Sequence, residues 1–216
     1  MVTQIAMILL LAASVASFQE KTEGLTIDQA KRSISFSGTL YPSHFNALTS
    51  YPKNHHFIVW REGKSARNAL IQAHVSDLEI GRQLVSLGAR PGNNLTQASW
   101  EKRKQKDHPD PDLIVEGTPI QVLVSWSSGA DKKVASLLVD QSGRGYFFRF
   151  GGHAELARVW GSGCVVCLES CPGARISNTR YTMRDLAKGL ARFSPAKDLP
   201  ADGTKVKIVL QILDEK

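Results

Sequence analysis

Three cysteines in 216 residues, all inside one short run, leave the chain with no second thiol set from which to complete a site. The sequence also has no G-x-S-x-G elbow, phosphate-binding P-loop, dinucleotide fingerprint or H-E-x-x-H pair. The common enzyme signatures are therefore absent, and a non-enzymatic role is expected. There is no low-complexity linker or internal repeat to divide the chain, which favours one domain over residues 24–216. Basic residues outnumber acidic ones, 27 to 20. They are dispersed and lack an interleaved aromatic platform, so the net charge of +7 suits weak attraction to acidic surfaces and not a nucleic-acid partner.

Only residues 5–13 form a strongly apolar run, and it is too short to span a bilayer comfortably. Small residues follow, with Ser14 and Ala16 where a signal peptidase would read, so residues 1–16 are expected to be a secretory signal peptide. The n-region carries no Lys or Arg, no cysteine follows the run, and there is no twin-arginine pair. The expectation is an exported protein, periplasmic or extracellular, with no transmembrane span in the mature chain. Export as an unfolded chain weighs against a pre-assembled cluster and toward a disulfide or a metal acquired later.

The organising stretch is 159–177, VWGSGCVVCLESCPGARIS, with Cys164, Cys167 and Cys171. Two cysteines separated by two residues can turn both sulfurs to one point, and Cys171 is near enough to add a third ligand or an exchange partner. Gly161, Gly163 and Gly173 permit positive φ around the cluster, and Pro172 stops a helix from running through it. The spacing C-x2-C-x3-C-P equals the last three cysteines of the bacterial ferredoxin run. Gly161 stands where the first cysteine of that run would be. A fourth ligand must come from elsewhere, and His153 in FRFGGHAEL is the nearest candidate; three cysteines and one histidine also make a common structural zinc site. Three readings stay open: a structural disulfide with one leftover thiol, a bound metal or iron–sulfur cluster, and a redox thiol. His55 and His56 are read as a solvated strand entrance.

The runs ALIQAHVSDLEIGRQLVSLGARPGNNLTQASW, FRFGGHAEL, SGCVVCLESCPGARISNTRYTMRD and DLPADGTKVKI resemble those of bacterial proteins carrying the YdjY-type domain. The resemblance covers most of the chain after Gly24. It implies a fold family whose members are largely uncharacterised, some with a ferredoxin-type label, and hence an iron–sulfur site. It implies no activity.

For the fold, Ile34, Phe36, Gly38 and Leu40 alternate with polar residues as in a half-buried strand, and residues 57–60, 120–126 and 205–213 read the same way. Ser76 and Glu79 form a capping-box pattern before a helix that stops at Gly88, and Thr182 caps a second helix carrying Met183, Leu186, Leu190 and Phe193. Residues 101–112 read as loop. Residues 134–139 and 145–150 are expected to pair as a hairpin feeding the cysteine loop. The predicted class is α+β, a single domain with a mostly antiparallel sheet, two or more helices and a Gly/Cys-rich loop. The expected function is metal binding or redox chemistry at the thiol cluster, with zinc or iron–sulfur as cofactor and a redox or cell-envelope protein as partner. The alternative is a cell-envelope interaction module whose cysteines form only a structural disulfide.

Overall fold

A computed structural model describes residues 19–22, 24–46, 55–105, 112–127 and 129–215; the predicted signal peptide lies outside them. Strands β1 (Gln19–Thr22), β2 (Leu25–Asp28) and β3 (Ser33–Leu40) follow one another as antiparallel neighbours. In β3 the period-two pattern buries Ile34, Phe36 and Leu40. A short helix α1 (Pro42–Asn46) precedes β4 (His56–Trp60), which leads through a 3-10 turn at Ala66–Asn68 into β5 (Ile71–Ala73). Helix α2 (Asp77–Ser86) begins where predicted: Ser76 Oγ accepts the Glu79 amide at 3.2 Å, and Gly88 takes a φ of 89° just beyond its end.

Helix α3 (Gln97–Lys102) ends two residues into the stretch read as loop. Thr96 and Ser99 cap it reciprocally, a polar pair that composition alone leaves in the loop class. Then come β6 (Pro119–Ser125), the two-residue β7 (Lys132–Lys133), β8 (Leu138–Asp140) and β9 (Phe148–Phe150). The expected hairpin of residues 134–150 does not form. The Asp140 carboxylate accepts the amides of Ser142 and Gly145, at 3.0 and 2.7 Å, in a local turn. Strand β9 instead pairs with β6.

Helix α4 (Ala154–Trp160), strands β10 (Cys164–Cys167) and β11 (Ile176–Asn178), and helix α5 (Met183–Ala187) complete the site region. Helix α5 carries the predicted Thr182 cap, completed by Asp185 as a capping box, but is shorter than the periodicity suggested. Gly189, at φ 71°, ends it, and Phe193 belongs to β12 (Phe193–Pro195), the partner of β8. The last strand, β13 (Thr204–Ile212), buries Val206, Ile208, Leu210 and Ile212 as its alternation predicted.

Strand β13 lies between β3 and β6, and the order continues β9, β11, β10, β4, β5. Strand β5 pairs back onto Gly38–Thr39–Leu40 of β3, closing eight strands into a barrel. Gly38 is required at that seam: a Cβ there would stand 2.8 Å from Ile208 Cδ1 and 3.0 Å from Ile71 Cγ2. The sheet is mixed, which corrects the mostly antiparallel expectation: β4 with β5 and β10 with β11 are parallel pairs. Parallel neighbours need a crossover, and the 3-10 turn region and the Cys171–Arg175 segment supply the two. An eight-stranded barrel is just wide enough for side chains to fill it. Here Ile58, Ile71, Ile120, Phe150, Ile176 and Ile208 belong to one continuous buried cluster.

Candidate metal centre

Cys164 and Cys167 lie on a strand and Cys171 in the expected loop, and this raises a geometric difficulty. Residues three apart on a regular strand face opposite sides. The register across β10 and β4 resolves it: Cys164 pairs with Val59, Val166 with Ile58, and Cys167 with His56, with shifts on both sides of Val166. These bulges re-aim the side chains. Val165 and Val166 enter the barrel core, whereas Cys164 and Cys167 both join a separate buried cluster with Cys171, Val59, Ala66, Ala69 and Ala174.

Backbone contacts fix that cluster. The Trp60 amide donates to Gly163 O at 2.8 Å and the Arg175 amide to Cys164 O at 3.1 Å. The Cys171 amide donates to Ser177 Oγ at 3.2 Å, so the chain after Pro172 folds back onto β11. Gly163 packs on Gly63, where a Cβ would approach the Gly63 Cα to 2.7 Å. Gly173 lies under Trp160, and its Cβ would stand 2.3 Å from the indole ring. Trp160, which packs on the cysteine cluster, in turn donates to Gln97 Oε1 at 2.9 Å and meets Trp100 at a centroid distance of 5.3 Å, so α3 braces the indole that covers the thiols. Gly161 ends α4 with φ 60°, which accounts for glycine at the position where a ferredoxin run has cysteine.

All three cysteines are free and buried. Cys167 is the hub: its thiol hydrogen-bonds with Cys164 and Cys171 and donates to Glu169 Oε1 at 3.8 Å. The sulfurs of Cys167 and Cys171 and a carboxylate oxygen of Glu169 lie within 4.8 Å of one another. Glu169 is fully buried, and its Oε2 has no hydrogen-bond partner. Burial, opposed by the Cys167 hydrogen bond, pushes its carboxyl up to about 8. Burial and the Cys164 hydrogen bond raise the Cys167 thiol well above its ordinary value. Cys171 is raised by its hydrogen bond to Cys167 and by burial. For Cys164 the Cys167 hydrogen bond lowers the value, but burial and the acidic neighbours Cys171, Glu169 and Asp77 outweigh it.

The sequence reading missed Glu169. Its only signal was a charged residue inside the apolar run VVCLES. His153 stands apart from the thiols: its Nε2 accepts the Leu95 amide at 3.1 Å, its own amide donates to Asn93 Oδ1 at 2.8 Å, and it enters α4 with φ 36°. It ties the 93–95 turn to the start of α4. His55 and His56 are not a solvated entrance. His55 is 5% exposed, and a ring nitrogen of each histidine falls within 4.8 Å of the other's and of Cys167 Sγ.

The residues do not fit the iron–sulfur cluster that the motif and the family label suggested. A four-iron cluster ordinarily takes four thiolates; the chain has three, and His153, the expected fourth ligand, is engaged by the Leu95 amide. The sulfurs also pack against Val59, Ala66, Ala69, Ala174 and Trp160, where a bulky cluster would displace side chains. Single ions with sulfur, oxygen and nitrogen donors suit the set better.

Among the described residues no helix is long and apolar enough to cross a membrane. No solved structure matches the chain. The curated protein named "Uncharacterized protein YdjY" from Escherichia coli (strain K12) is 31% identical over 163 residues, covering 74% of this chain and 68% of its own length. The YdjY domain matches residues 25–211, and the chain belongs to the YdjY domain family.

Proposed function

We propose that the chain is a non-enzymatic, exported metal-binding protein in which Cys164, Cys167 and Cys171, with Glu169, hold a thiophilic divalent ion such as zinc. One observation carries the reading: a fully buried carboxyl, one oxygen without a partner, placed against two buried thiols. A buried ionisable group left unsatisfied costs on the order of 1–3 kcal/mol or more, and a cation at this point would turn that cost into a bond. Export rests on the apolar run at 5–13 with its small-residue flank. A second reading, in which the cysteines only support an interaction module, draws on their packing against Val59 and the three alanines. It leaves Glu169 without a reason to be there.

Titration of the reduced full chain with cobalt(II) tests the proposal. Thiolate-to-cobalt charge-transfer absorption that weakens in Cys167→Ser and Cys171→Ser supports it. A protein that stays colourless through the titration overturns it and leaves the interaction module.

A further inference from the structure

We infer that the thiol site is one half of a two-ion centre: His55 and His56 form a second metal subsite that shares the Cys167 sulfur with the first. The inference rests on the metal-binding reading and adds to it a count and a bridging atom. Two sets of donor atoms converge independently on Cys167 Sγ, each within 4.8 Å of one another: His55 with His56, and Glu169 with Cys171. In a tetrahedral site with metal bonds of about 2.0–2.3 Å, ligand atoms stand about 3.3–3.8 Å apart, so each set lies within roughly 1 Å of closing on an ion.

The backbone holds the histidines at the level of Cys167. His56 is the ladder partner of Cys167, and the His55 carbonyl accepts the Leu168 amide at 2.9 Å. The two imidazoles lie with centroids 3.9 Å apart; His55 stands just before the first residue of β4, outside the alternation of the strand. The Nδ1 of His56 is buried and has no hydrogen-bond partner, as the Oε2 of Glu169 does not; the two orphaned atoms belong one to each donor set.

The converging donors are two thiols, one carboxyl and two neutral imidazoles, so the second subsite adds donors without adding charge. Loading releases the thiol and carboxyl protons to solvent. A bridging sulfur puts the ions at the separation of about 3.5–4 Å that two-metal sites use.

Cadmium, added anaerobically to the reduced full chain, provides the test through bound stoichiometry and cadmium NMR. The expected result is about two ions per chain and two resonances that split each other through the shared sulfur. His56→Gln is expected to keep one ion and lose the splitting, and His55→Gln provides the same reading if the first variant does not fold. Two resonances without splitting would overturn the sharing of Cys167. One ion bound, with no response to either histidine variant, would overturn the second subsite and leave the thiol–carboxylate site standing. No cadmium bound would overturn both.

Discussion

Glu169→Gln separates a metal ligand from a buried structural residue. The amide keeps the shape of the carboxyl and can still reach the Cys167 sulfur, but it carries no charge. In the metal-free protein the native side chain has a weak contact, 3.8 Å from Cys167 Sγ, and an oxygen with no partner. Replacing one unsatisfied polar group with another of the same size should therefore change metal-free stability by less than about 1 kcal/mol. In the loaded protein the substitution removes an anionic ligand. A loss of 10- to 100-fold in metal affinity corresponds to about 1.4–2.8 kcal/mol less metal-induced stabilisation. Urea unfolding of wild type and variant, each with zinc and with chelator, reads both quantities. If Glu169→Gln is destabilising with chelator present and retains the full zinc increment, Glu169 is a packing residue and the reasoning fails.

Other consequences follow from the same contacts. Burial holds His153 down at about 4 against an ordinary 6.5. The unfolded chain therefore takes up this proton first, so stability is full above 6.5 and falls as pH drops toward 4, by roughly 2–3 kcal/mol. His153→Asn, which tolerates the positive φ, should reduce that slope in chemical unfolding of the metal-free protein, the remainder coming from His56, which burial also lowers to about 4; an unchanged slope would count against the assignment. Gly173→Ala drives a methyl into Trp160 and should cost about 1–3 kcal/mol. It should also speed alkylation of the cysteines, because the indole is their cover. Gly38→Ala should cost a similar amount at the barrel seam by overpacking against Ile208 and Ile71, measured as a lower unfolding midpoint with no change in metal affinity.

The strands with strict alternation were legible because a barrel wall has one buried face. Residues Val206 to Ile212 and Ile34 to Leu40 carried their own register, and Ser76 announced α2 through its side-chain cap. Barrel closure was not legible, since β5 is three residues long and its pairing with β3 depends on Gly38 having no side chain. The hairpin expectation failed because β8 pairs with β12, and β9 with β6 and β11, all distant in sequence. At the site, the cysteine spacing pointed to the right place, but of the three cysteines only Cys171 lies in a loop. Bulges depend on the partner strand, and Cys164 and Cys167 face the same way only through the pairing with β4. His153 was favoured for nearness in sequence. His55 and His56, more than a hundred residues from the cysteines, reach Cys167 through that same pairing, which no local pattern encodes.

The most direct measurement is elemental analysis of the mature protein, isolated without oxygen or chelators from its native compartment, with thiols counted on the same sample before and after chelation. The account predicts divalent metal without inorganic sulfide, and thiols that become reactive only once the metal is removed. A metal-free protein with three titratable thiols, or with one thiol and a disulfide, would contradict it.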